Sequence, residues 1–220
     1  MHAPCTFFLG LVLLANSQPS SVGIDFEDHQ IGQPPRGFVT AVTGNAPEGR
    51  WIIQEDATAP AGRKVLAQVG DDPTRNRFPL CIHSFAARNV AVSVQFKPVS
   101  GTVDQAGGIV FRYKDKDNYY LVRANALEDN VVLYKVQDAR RTSLPVKGGG
   151  SDYGIKVAVP SGQWSTLELV AEGNLFTVHF NGRKLFEVED STFPEAGLVG
   201  LWTKADSITL FDNLRMTRKD

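Results

Sequence analysis

From residue 104 to residue 136, apolar and polar positions alternate through three short runs separated by polar turns. Ile109, Phe111 and Tyr113 interleave with Val110 and Arg112, and Tyr120, Val122 and Ala124 follow in the next run. A period of two puts successive side chains on opposite faces of a sheet, and aromatic and β-branched residues favour its pleated surface. A four-residue turn at Lys114-Asp115-Lys116-Asp117 pairs Tyr113 with Asn118, Arg112 with Tyr119 and Phe111 with Tyr120. Ile109, Phe111, Tyr120 and Val122 then share a buried face, and Arg112, Tyr119, Arg123 and Asn125 share the other. Forked hydrogen-bonding groups beside an aromatic ring suit a polyol ligand. The plainer alternative is the wet side of an antiparallel sheet. A one-residue slip of register would scatter the group altogether.

The same short-strand pattern recurs along the chain. Strands are predicted over residues 22–28, 51–54, 65–69, 78–83 and 90–97 before the central stretch, with 90–97 alternating as Val90, Val92, Val94, Phe96. After it come 140–145, 164–170, 175–180, 184–188, 198–204 and 208–216. Loops rich in Gly, Pro and Asp separate them. Asn181-Gly182 marks a hairpin turn. A strict two-residue turn would set Phe176 against Glu187, so one extra residue, a bulge, is expected to bring Phe176 and Val178 beside Val188 and Phe186. No segment keeps a helical period and no internal repeat is visible. The pattern is that of an all-β sandwich or barrel in one domain, residues 18–220.

Composition narrows the partners. Lys+Arg 23 against Asp+Glu 24 gives a net charge of -1 with no long run of either sign, which argues against nucleic acid or an anionic membrane surface. Residues 7–15 are apolar but too few to span a bilayer, and Ala15-Asn16-Ser17 fits small-x-small cleavage. Residues 1–17 are therefore expected to be a signal peptide and the protein secreted or periplasmic; the alternative is a buried N-terminal element, since the first residues lack Lys or Arg. With that segment removed Cys81 is the remaining cysteine, a small buried hydrophobe, and no internal disulfide can form. Gly148-Gly149-Gly150 lacks the Lys-Ser/Thr of a phosphate-binding loop and is read as a flexible loop.

Several stretches together resemble the concanavalin A-like lectin/glucanase superfamily: residues 107–113, Asp117-Asn118-Tyr119-Tyr120, Trp164 before Leu167-Glu168-Leu169, Phe180-Asn181-Gly182, residues 197–202 and Phe211-Asp212-Asn213-Leu214. The chain looks most like secreted laminin G-like, glycoside-hydrolase-16-like and keto-disaccharide-hydrolase-like jelly rolls. The resemblance implies two packed, curved antiparallel sheets with a carbohydrate ligand on the concave face. It also departs from the hydrolases. Their E-x-D-x-x-E signature puts two carboxyls about 5–5.5 Å apart for retaining chemistry. Here the nearest approach, Glu187-Val188-Glu189-Asp190, lacks that spacing, and Glu128-Asp129 sits in a turn. His2, His29, His83 and His179 show no metal spacing. A non-catalytic carbohydrate-binding module is the leading expectation. A glycosidase with carboxylates from distant strands and a laminin G-like protein-binding module are the alternatives.

Two further features complete the expected site. Gly200, Trp202 and Lys204 alternate onto one face, where the indole either stacks on a sugar or closes the sandwich core. If the first and last strands are neighbours, as the resemblance implies, Asp25 or Glu27 converges with Asp212, and a structural calcium held by Asp25 and Asp212 is expected by analogy with related modules. The competing reading leaves these acids in solvent or paired with Arg215 and Arg218.

Overall fold

A computed structural model describes residues 20–219, so the expected signal peptide lies outside the described residues. In chain order the strands are β1 (Ser21–Ile24), β2 (Phe38–Thr43), β3 (Trp51–Glu55), β4 (Lys64–Gln68), β5 (Phe78–Ala87), β6 (Val90–Ser100), β7 (Ala106–Asp115) and β8 (Asn118–Asn125). They continue as β9 (Asn130–Gln137), β10 (Arg140–Ser143), β11 (Ile155–Lys156), β12 (Ser165–Glu172), β13 (Leu175–Phe180), β14 (Arg183–Glu189), β15 (Gly197–Trp202) and β16 (Ile208–Arg218). The first sheet runs β14-β13-β12-β6-β16-β4-β3, with β1 on β16; the second runs β10-β9-β8-β7-β15-β5-β2, with β11 on β9. Every pairing is antiparallel, so alternate residues of each strand face the partner sheet.

The core lies between the sheets. Phe111, Tyr120 and Val122 from the second sheet meet Val92, Val94, Leu169, Phe176 and Val178 from the first, all essentially without solvent exposure. Rings bind the layers together: Phe111 lies 5.1 Å from Tyr120 and 5.0 Å from Phe176, and Tyr120 lies 4.9 Å from Phe176. Each buried aromatic contributes its full transfer term plus about 0.5–1.5 kcal/mol for such ring pairs. Cys81 is wholly buried in the same layer.

Three local expectations are met. β1 pairs with β16 through Val22 and Met216, closing the two ends of the fold on each other. Asn181 and Gly182, both at positive φ, form the β13–β14 turn. The extra residue sits in β14 and sets Phe176 opposite Val188 and Val178 opposite Phe186.

The β7–β8 hairpin differs from expectation at one place. Phe111 pairs with Tyr120 as predicted, but the next pair is Asp115 with Asn118, so the turn is tighter and residues 112–114 form a bulge opposite Tyr119. Arg112 takes φ 48°, a left-handed conformation that re-aims its side chain. It does not join Tyr119 on the outer face. It turns inward beside Phe111, 5.2 Å from the Phe176 ring, and donates to the carbonyls of Arg88, Phe193 and Gly173. Gly197 is required here, because a Cβ on it would lie 2.5 Å from the Arg112 carbonyl carbon. Arg112 is thus a clamp between loops of both sheets.

Replacing it tests that role. Arg112→Met keeps the stem but strands three carbonyls, and is expected to lower stability by about 2–4 kcal/mol in urea unfolding. A loss below about 0.5 kcal/mol would show that the clamp is dispensable.

Candidate functional site

The bulge tips the end of the β7–β8 hairpin over the outer face of the second sheet. Thr43 at the far end of β2 donates to the Lys116 carbonyl and shares a 2.8 Å hydrogen bond with the Tyr119 hydroxyl. On a flat sheet strands sit roughly 4.8 Å apart, and these groups would be far separated. The second sheet is therefore strongly coiled and its outer face concave. That concavity buries a second apolar cluster including Leu80, Val110, Leu121, Val132, Tyr134 and Trp202.

Arginines and rings alternate across this face. The Arg141 guanidinium lies 4.8 Å from the Phe78 ring, 5.7 Å from Trp202 and 4.6 Å from Tyr134. Arg123 lies 5.5 Å from Tyr134 and 5.8 Å from Tyr153. Planar guanidinium over an aromatic face is an attractive contact that strengthens as water is excluded. Several donors in this ladder have no partner: Arg141 Nη1, Arg123 Nε, Trp202 Nε1 and the Tyr134 hydroxyl are buried without a hydrogen bond of ordinary geometry. Burial pushes the Tyr119 and Tyr134 hydroxyls well above the ordinary tyrosine range, so both stay protonated donors.

A charged network borders the ladder. Arg123 grips Glu128 with two 3.1 Å hydrogen bonds and also donates to Asn130. Asn125 donates to Asp104 at 2.6 Å, Lys204 pairs with the other Asp104 oxygen, and the Tyr153 hydroxyl reaches Glu128 at 3.0 Å. Burial alone would raise the Glu128 carboxyl; the bonds and charge of Arg123, with Asn130 and Tyr153, outweigh it and hold the group at about 2. At the rim a cleft of about 730 Å³ is lined by Gly44, Asn45, Thr74, Asn76, Phe78 and residues 138–141.

Tyr119, Arg123, Asn125, Trp202 and Lys204 therefore share this face, while Arg112 does not. Four of the five, Tyr119, Arg123, Asn125 and Trp202, are buried where an open ligand-binding face was expected. Trp202 belongs to the outer-face cluster, not the inter-sheet core, yet Phe78 stacks on it at 5.6 Å and Arg141 covers it, leaving no open indole surface. Arg123 has no solvent exposure, although the sequence placed it outside any core. The residues that reasoning from sequence missed are Phe78, Tyr134, Arg141 and Tyr153. Alternation through Val132, Tyr134 and Val136 carried a usable signal for Tyr134. Arg141 and Tyr153 had none, since tertiary curling brings them in; Tyr153, 46% exposed, comes from the end of the glycine-rich loop.

Asp25 follows β1, whose partner β16 carries Asp212; Asp25 is exposed and Asp212 is buried. Asp212 sits where β16 passes from pairing with β4 to pairing with β1, and its oxygens accept from the Ala61 and Asn213 amides. Burial, with the nearby charges of Asp25 and Glu27, raises its carboxyl. Glu27 accepts from the Arg63 and Lys64 amides. Among the described residues no cluster of three or more His, Cys, Asp or Glu has a metal-binding arrangement.

Two antiparallel sheets, joined terminal strands and a concave ligand-sized face define a concanavalin A-like jelly-roll sandwich. The chain belongs to the family of 3-keto-alpha-glucoside-1,2-lyase-like domains, whose sequence model matches residues 37–217. A search of curated proteins gave no match. Among solved structures it is similar to the carbohydrate binding module CBM66 from Bacillus subtilis, at 20% identity and a TM-score of 0.63 over 82% of this chain and 95% of that one. It is also similar to the cellulose-induced protein Cip1, at 15% identity and a TM-score of 0.64 over 90% and 98% of the two chains. A third is domain 4 of a family GH43 extracellular arabinanase from Geobacillus stearothermophilus, solved with arabinotriose, at 15% identity and a TM-score of 0.55 over 89% and 90%. At these identities the likeness is one of fold.

The Glu128–Arg123 pair predicts a pH dependence. The folded carboxyl lies below its ordinary 4.5, at about 2, so its stabilising contribution is present above 4.5 and fades as pH falls toward 2. Glu128→Gln should be less stable than the parent at pH 7, with the gap closing between those values in urea titrations. A gap unchanged down to pH 2 would show that Glu128 is not held as an ion.

Proposed function

We propose that this protein binds carbohydrate on the concave face of the second sheet and does not cleave it. The observation that carries the reading is the aromatic and guanidinium ladder of the concave face with the polar cleft of Asn45, Thr74, Asn76, Arg140 and Arg141 at its rim. Sugar hydroxyls suit the hydrogen-bonding groups of that cleft, and a half-exposed ring such as Tyr153 offers a platform for the apolar face of a pyranose. Two of the similar folds, a carbohydrate binding module and an arabinanase domain solved with arabinotriose, support it.

The acids of this face favour binding over hydrolysis. A general acid needs a raised pKa, whereas Glu128 is pulled down to about 2; the Asp104 oxygens are taken up by Lys204 and the Asn125 amide. Of the acids in residues 187–190, Glu187 and Glu189 pair with Lys184 and Lys147, and Asp190 accepts from Tyr120. The apolar run at residues 7–15 supports export, which places the ligand outside the cytoplasm.

Titration calorimetry against neutral and acidic oligosaccharides tests binding. Tyr153→Ala should weaken it roughly tenfold, the worth of one stacked ring. Circular dichroism should show the variant folded, and Tyr153→Phe, which keeps the ring and removes only the Glu128 bond, should retain most of the affinity. The same protein incubated with 3-keto-alpha-glucosides, the compounds in the family's name, should release no product; turnover would overturn the non-catalytic reading.

A calcium ion at Asp25 and Asp212 stays a separate proposal, supported by the pairing of β1 with β16 and by the charge of Asp25 acting on the Asp212 carboxyl. Millimolar calcium should then raise the melting temperature and chelator reverse it, as binding to the folded state alone requires. Identical curves would dispose of the ion.

A further inference from the structure

Among the described residues Arg141 has no carboxylate within ion-pair distance. Other buried guanidinium groups here bond acceptors within the protein: Arg112 three carbonyls, Arg77 those of Pro47, Glu48 and Ala205, and Arg123, through both terminal nitrogens though not its Nε, Glu128 and Asn130. Arg141 makes ring contacts only, with Nη1 buried and unbonded. A guanidinium carries five donors in a fixed fork and keeps its charge at every working pH. Three rings hold this one in place, so little side-chain entropy remains to be lost when it binds.

The same residue lines the rim cleft. Its neighbours there supply neutral hydrogen-bonding groups, Asn45, Thr74 and Asn76, and the charged residues are Arg140, Arg141 and Asp138. Two cations against one anion leave the cleft net positive. Its volume of about 730 Å³ falls within the roughly 300–1,000 Å³ of small-ligand sites. A planar carboxylate matches the fork, and the amides and hydroxyl beside it match sugar hydroxyls.

We propose that this cleft recognises an acidic saccharide, with the carboxylate of a uronate-type sugar taken by the Arg141 guanidinium edge that lines the cleft. This deepens the carbohydrate-binding reading and rests on it. Phe78 closes the cleft floor, so the ion pair forms against an apolar wall where water screens it poorly.

The test compares galacturonate oligosaccharides with their methyl esters, which keep the sugar and remove the charge. Calorimetry on the unaltered protein should show the acid form binding at least about tenfold tighter, the worth of one charge-assisted hydrogen-bonded pair. Arg141→Gln should bring acid and ester to the same affinity, and Arg141→Lys should restore part of the preference. Circular dichroism checks that each variant is folded, and the comparison on the unaltered protein stands even if one is not. Equal affinity for acid and ester, or a preference that survives Arg141→Gln, overturns the uronate inference and leaves carbohydrate binding intact. Failure of every neutral and acidic oligosaccharide to bind overturns both.

Discussion

The bulge at residues 112–114 is the constraint on which the second sheet depends. Below it, Phe111 and Tyr120 pair in register and pack on Phe176 from the opposite sheet. Above it, three residues of β7 stand against one of β8, and the strand must bend. The bend carries the hairpin tip over the outer face until Lys116 and Tyr119 reach Thr43 on the far edge strand. Arg112 holds the bend from beneath by bonding loops of both sheets.

Coiling gives the protein two cores of different kinds. Between the sheets the packing is apolar and satisfies itself. On the concave face the apolar floor is roofed by arginines stacked on rings, which lets charged groups sit where plain alternation would have put solvent. Buried donors normally find acceptors, and a cluster that does not is unusual in a native fold. The four unpaired donors here lie together on one surface, whereas Trp51 Nε1 and Ser165 Oγ are isolated cases elsewhere in the fold.

Electrostatics divide the face. At one end Glu128 and Asp104 are each held by a cation and an amide, and the Arg123 guanidinium keeps the Glu128 carboxyl ionised. At the other end Arg141 is a cation without a counter-ion, beside a cleft. The first arrangement stabilises the fold; the second leaves recognition capacity unspent.

Much of the architecture was legible in the sequence, because alternation is local. The hairpin pattern identified the all-β sandwich, the Phe111–Tyr120 pair, the inward row and the bulge after Asn181-Gly182. It also grouped Tyr119, Arg123, Asn125, Trp202 and Lys204 on one face, since a period of two fixes which side of its strand a residue takes. It could not place Arg112, because one left-handed residue reverses that assignment and nothing in the flanking residues announces it. Nor could it show that the shared face curls, which is why Tyr119, Arg123 and Asn125 read as an open face and prove buried, and why Trp202, read as a stacking platform or a core residue, ends covered by Phe78 and Arg141. Arg141 and Tyr153 come from an edge strand and a loop distant in sequence, and long-range coiling of the sheet alone brings them to the site.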